Sequence, residues 1–209
     1  MKRWIMVRGR PREFDRDKAL SAAMLVFWRK GFNATSLRDL SEALGIGMPS
    51  LYGAFGSKED LYVESLGLYM QITESLLWGH LKGSLPARDA IQAVLLATAK
   101  ELTNRKAHPI GCMVTSAAID EDMPEAVAVA IRNARRDWLE MIRKRLEMAV
   151  IDRELPDSAE PESLSRFYLA IVQGIGIQCR DGASYEKLEK MVQIAMAAWP
   201  TRSHLTKPS

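Results

Sequence analysis

The stretch GIGMPSLYGAFGSKEDLY, residues 45–62, sets four glycines and one proline between two runs of helical periodicity. A glycine inside a helix costs roughly 1 kcal/mol relative to alanine. Breakers this dense therefore mark joints between short helices. Gly45 and Gly47 allow a sharp turn, and Pro49 fits the first turn of a helix, where a missing N–H costs little. SLYGAF then reads as a very short helix closed by Gly56, with Gly53 alone inside it. Ser57 can cap the next helix, and Asp60 three residues on forms an imperfect capping box.

The flanking periodicity is helical along the whole chain, with no sustained alternation of period two. A first helix is predicted over residues 15–30, with Leu20, Ala23, Met24, Phe27 and Trp28 on its apolar face and Gly31 as its stop. Thr35 or Ser36 caps a second, short helix that presents Leu37, Leu40 and Leu44 and closes at Gly45. Beyond Ser57 the pattern predicts helices over 58–80, 87–104, 110–120, 124–150, 161–179 and 184–199. The expected fold is all-α. Residues 1–60 form an N-terminal arm and a three-helix helix-turn-helix head. Residues 61–200 form a larger helical body, and 201–209 a disordered tail.

Charge is unevenly placed. Residues 1–60 carry 11 basic and 7 acidic side chains, while the rest is nearly balanced. Residues 1–12 hold five basic side chains and no acid, which points to a polyanionic partner or to a solvated terminus. No apolar run reaches the ~18 residues of a membrane span, and the start lacks a signal-peptide pattern. No membrane association is expected, and the cytoplasm is the default compartment. Cys112 and Cys179 form no CxxC, and the three histidines have no metal-ligand spacing. Neither a metal nor a cofactor is called for. No P-loop, GxSxG or Ser/His/Asp frame appears, and GIGIQC at 174–179 lacks the third glycine of a dinucleotide site. An enzyme is not expected.

Two short helices joined by a glycine turn make a helix-turn-helix, whose second helix can lie in a major groove. The run ATSLRDLSEALGIGMPSLYGAFGSKEDLY, with the ALSAAMLVFWRKGFNATS that precedes it, resembles the DNA-binding region of the TetR/AcrR family of bacterial repressors. The G-F-x-x-T-S entry at 31–36, the L-Y-x-x-F of 51–55 and the S-K-E-x-L-Y of 57–62 carry the resemblance, which covers residues 14–62. It implies phosphate contacts from Thr35, Ser36, Tyr52 and Lys58, and a phosphate or base contact from Arg38. It implies a recognition helix led into the groove by Met48, Pro49 and Ser50. Commoner members carry a polar or basic residue where Met48 stands and a histidine where Gly53 stands, so thymine-methyl contact and shape readout gain weight here. RGRPR at 8–12 resembles the arginine arm of such proteins, with Arg8, Arg10 and Arg12 reaching minor groove or phosphate.

For the body, the resemblance implies ligand capture and dimerisation. Met70, Trp78, Met113, Trp138 and Phe167 are the candidate pocket residues, each also readable as plain core. The last two helices offer Leu164, Tyr168, Ile171 and Ile175, then Leu188, Met191, Val192, Ala195 and Met196, as a dimer face or as the completion of the monomer core. Cys112, near a helix start, reads as a reactive sensor or as a buried structural thiol. The expected protein is a cytoplasmic homodimeric repressor that binds a palindromic double-stranded operator and is released by a small-molecule effector. A helix-turn-helix activator, or a DNA-organising protein without a ligand, is the alternative.

Overall fold

The computed structural model describes residues 14–117 and 122–201. Every regular element among them is helical. α1 (Arg16–Lys30) starts at Asp15, whose carboxylate accepts from the Lys18 backbone N–H at 3.1 Å. It buries Ala19, Ala23, Met24, Phe27 and Trp28 and stops at Gly31, where φ is +79°. α2 (Leu37–Leu44) and α4 (Lys58–Leu76) open with the same device. In each a serine hydroxyl, Ser36 or Ser57, accepts from the backbone N–H three residues on, and the aspartate there, Asp39 or Asp60, accepts from the serine's own N–H. The pairing expected to be imperfect at Ser57 is thus a complete capping box. Between them α3 (Met48–Phe55) starts at Gly47 with no side-chain cap and carries Pro49 in its first turn.

The fourth helix ends earlier than predicted. It stops at Leu76 and tightens into a 3-10 segment, Trp78–Lys82. Gly79 weakens the α-helical continuation, and the tighter turn sends Trp78 inward onto Trp138, with ring centroids 5.3 Å apart. α5 (Ala87–Leu102) follows. Of the helix predicted over 110–120, residues 110–112 precede the helix, α6 is Met113–Ser116, and 118–120 lie outside the described residues. Pro109 has no N–H to donate, and Gly111 at φ +79° turns the chain. α7 (Glu125–Ile151), α8 (Pro161–Arg180) and α9 (Tyr185–Ala197) complete the fold.

α1 and α3 pack on α4, and α2 packs on α1 and α3, around Phe27, Phe32, Leu40, Leu51, Phe55, Leu61 and Tyr62, all buried. α4 then continues into the body, where it meets α7, while α8 lies across α7 and α5 and α9 covers α5. The boundary expected at residue 60 falls inside the first turn of α4. The proposed head and body therefore share one rod.

Hydrogen bonds hold the Asp39 carboxyl below the usual range, first from Lys30 (2.6 Å) and then from the Ser36 N–H and hydroxyl. The hydroxyl and N–H of Ser57 do the same for Asp60. Because these pKa values are depressed in the folded state, the caps contribute fully above the unfolded carboxylate value, near ~3.9. Their contribution is lost as pH falls through the lower folded values. We predict that the melting temperature is insensitive to these two groups near neutrality and falls below about pH 4. The acid loss should shrink in an Asp39→Asn, Asp60→Asn double variant. Circular-dichroism melts against pH measure this, and an identical acid slope in both proteins contradicts it.

Candidate nucleic-acid interface

α3 is held from within and bare without. Leu51 and Phe55 are buried beneath it, and truncating either to alanine would cost on the order of 2–5 kcal/mol. Pro49, Ser50 and Gly53 are exposed, and Tyr52 keeps 46 % of its surface in solvent. Met48 is half-buried at the leading edge. A Cβ placed on Gly53 would meet no atom within 4 Å. Nothing in the fold therefore requires glycine there.

Ser36 is exposed at the start of α2, with its hydroxyl engaged in the capping box. Arg38 stands two residues further, its Nε donating to Glu42 at 2.8 Å while 87 % of the side chain stays in solvent. Lys58 heads α4 with its ammonium 4.2 Å from the centre of the Phe32 ring. Partial burial pulls its pKa below the usual lysine value. The helix dipole at an α4 N-terminus opposes a cation, and the ring face offsets part of that cost. The structure thus brings Ser36, Arg38, Met48, Pro49, Ser50, Tyr52 and Lys58 into the two short helices and the α4 start around them. Arg8, Arg10 and Arg12 lie outside the described residues.

Thr35 differs from expectation. It is 1 % exposed, and its hydroxyl donates to the Gly31 carbonyl at 2.6 Å. Its side chain fastens the α1–α2 turn and is closed to a phosphate.

Sequence reasoning missed two side chains that fix the head. Arg16 grips Glu64 through Nη2, at 2.7 and 2.9 Å, and donates to the Ala54 carbonyl at the end of α3. Its guanidinium also lies 4.6 Å from the centre of the Phe55 ring. Trp28 joins head to body. Its indole N–H donates to the Gly111 carbonyl at 2.8 Å, a buried bond spanning 83 positions. The ring stacks on His108 (4.4 Å) and meets Tyr69 edge-on (4.9 Å). The spacing of α1 places Trp28 on the buried face, but no local signal reveals a partner so distant in sequence.

The candidate pocket residues are mostly enclosed. Trp78, Trp138 and Met113 are closed inside the core, with the two indoles stacked together. Both indole N–H groups lack a hydrogen-bond partner among the described residues. Met70 packs against the same core. Phe167 faces outward from α8 at 39 % exposure. None of the five lines a described cavity.

Part of the dimer set is corrected. Tyr168, Ile175, Leu188, Val192, Ala195 and Met196 are buried within the single chain, so they complete its own core. Leu164, Ile171 and Met191 are only partly covered. The outward apolar positions on these helices are Phe167, Ile177 and Ile194, the last 75 % exposed.

Cys112 is buried. Its sulfur accepts from the Tyr69 hydroxyl (3.3 Å) and from the Thr115 N–H (3.4 Å). Burial, and then the neighbouring thiol, push the Tyr69 hydroxyl well above its ordinary pKa. No group of three potential metal ligands occurs among the described residues, and no helix there is long and apolar enough to cross a membrane.

Comparison with known proteins agrees with this geometry. Residues 19–64 match the family described as "Bacterial regulatory proteins, tetR family", and residues 88–196 match "Tetracyclin repressor-like, C-terminal domain". The HTH-type transcriptional repressor ComR of Escherichia coli (strain K12) is 32 % identical over 197 residues, covering 92 % of each chain. The repressor BdcR of the same organism is 31 % identical over 185 residues, covering 87 % of each. A solved structure of a cysteine mutant of the TetR family regulator CifR, complexed with 26-bp operator DNA, shares 37 % identity and a TM-score of 0.86. That likeness spans 92 % of this chain and 100 % of that one. The chain belongs to the TetR family of bacterial regulatory proteins and is a DNA-binding transcriptional regulator.

Proposed function

We propose that the protein is a homodimeric repressor that reads a palindromic operator through α3 and is released by a small-molecule effector. The observation that carries the reading is the contrast within α3. Leu51 and Phe55 anchor it, while Pro49, Ser50, Tyr52 and Gly53 stand clear of the chain's own packing. A glycine that no internal contact requires, in a helix that it weakens, is accounted for by a partner passing close outside. A major groove admits such a helix. Ser36, Arg38, Tyr52 and Lys58 would meet phosphates on either side, Met48, Pro49 and Ser50 the base edges, and Arg8, Arg10 and Arg12 the adjoining minor groove. The repressor names of ComR and BdcR, and the operator duplex bound to CifR, support this reading. Residues 1–60 act as the head and 61–200 as the body, with α4 as the rod between them.

One eight-residue helix makes few contacts, so a second copy supplies the second half-site. The outward stripe of α8 and α9 suits that copy. Gln178 meets Met191 at 3.4 Å and Tyr168 meets Trp199 at 5.9 Å between ring centroids, so the two helices run antiparallel. That registration brings Ile194 level with Gly174, between Phe167 and Ile177. A Cβ on Gly174 would also meet nothing within 4 Å, leaving room for a close helix crossing.

Three variants test the reading. Gly53→Ala should raise folding stability by about 0.5–1 kcal/mol in denaturant titrations. The same substitution should weaken operator binding by about 1 kcal/mol or more in anisotropy titrations. Undiminished affinity would mean that α3 does not approach DNA at this position. Ile194→Glu should give a helical monomer by sedimentation and lose operator binding at moderate salt, and a persisting dimer would move the interface elsewhere. Deleting residues 1–12 should weaken operator binding and flatten the slope of log affinity against log salt. An unchanged slope removes the arm from the contact.

A further inference from the structure

We propose that a cleft between α1, the loop from 103 to 112 and the end of α8 receives a small organic acid with an apolar body of about one ring. This deepens the effector-responsive reading above and rests on it. The cleft has a volume of about 650 Å³, and four cations border it: Arg29, Arg105, Lys106 and Arg180. No carboxylate lines it. None of the four forms an ion pair among the described residues. Arg29 and Arg180 sit in the last turns of α1 and α8, where helix dipoles favour positive charge. Arg105 and Lys106 lie on a loop and have no such internal reason. Like charges brought to one cleft repel, and an anion between them removes that cost.

The apolar half of the ligand is set by what adjoins the cleft. Leu25, Ala107 and His108 form a wall common to it and to a smaller cavity of about 200 Å³. Trp28, Tyr69, Leu76 and Leu102 line that cavity further in. An apolar cavity of about 150 Å³ takes up a benzene-sized guest, so the space suits one aromatic ring or a branched alkyl group. Glu101 is the one acid on its wall, held by His108 Nε2 at 3.1 Å. Its charge turns an acidic occupant one way round, with the ring inward beside Trp28 and the acid outward among the cations.

Position gives the site its consequence. Arg29 belongs to the head, while Arg105, Lys106 and Arg180 belong to the body. The ring would lodge beside the Trp28–His108 stack that ties the two together. Any arrangement that binds the acid more tightly than the operator-bound arrangement does is favoured by it, and the operator is weakened to the same degree.

Calorimetric titration of the full chain with benzoate, 3-phenylpropionate and 4-methylpentanoate, each beside its neutral amide, tests the proposal without DNA. At least one acid should bind roughly tenfold or more tightly than its amide, a difference set by the charge-assisted contacts. An Arg105→Gln, Lys106→Gln double variant should lose about tenfold of that affinity. The same acid should lower operator affinity of the wild-type protein. Equal binding of acid and amide, no heat with any acid, or unaltered acid binding by the double variant each overturns the proposal. So does a double variant that, without acid, binds operator more weakly and with a shallower salt slope, because its cations then face DNA. A wild-type chain that binds acid but no duplex would leave the site standing and remove the repressor reading.

Discussion

The buried hydrogen bond from the Trp28 indole to the Gly111 carbonyl is what makes one molecule of head and body. α4 runs through both, but a single rod fixes neither the tilt nor the roll of the helices packed on it. Trp28 closes that freedom through a bond made away from water and two ring contacts. Removing the indole would orphan a buried carbonyl and open a cavity at once. The acceptor is equally constrained. Gly111 lies at φ +79°, and a Cβ there would fall 2.6 Å from Arg180 Cγ and 3.1 Å from the Gly176 carbonyl. The same residue thus lets α8, the loop and α1 converge. The cationic cleft opens at that convergence.

Electrostatics divides labour along the head. The two capping boxes put carboxylates at the starts of α2 and α4, where exposed N–H groups favour negative charge. α3, which would face a polyanion, has no acid in its first turn and a glycine at its N-cap. Pro49 has no N–H and those of Ser50 and Leu51 already donate to the Gly47 carbonyl, so only the Met48 N–H at this helix start is left without a cap. The depressed pKa values of Asp39 and Asp60 keep the flanking caps ionised throughout the neutral range.

The head was legible in the sequence because its elements are short and each is punctuated locally. Ser36, Gly45, Pro49, Gly56 and Ser57 fix helix ends through bonds or dihedrals within four residues. Thr35 misled because its hydroxyl turned back to a carbonyl four residues away, an option as local as a phosphate contact and invisible to pattern. The body was legible only as helices. α8 is apolar on two sides, so the sequence offers Tyr168 and Ile175 or Phe167 and Ile177 as the inward set. The choice is made by α5 and α7, which periodicity within α8 does not contain. The same holds for the pocket. Trp78 and Trp138 have the size and polarity of ligand-gripping side chains, yet their stack forms between elements some sixty residues apart. The space left open lies beside Trp28, Tyr69 and His108, drawn from three segments.

The seating of α3 through one side, chiefly by Leu51 and Phe55, has a consequence for how such regulators diversify. Its inner side answers to the fold, while positions 49, 50, 52 and 53 are exposed. Drift can explore those four positions at little risk to folding, so new addresses on a chromosome can be acquired by a handful of exchanges. The sensing end, built from residues scattered across the chain, has no comparable shortcut.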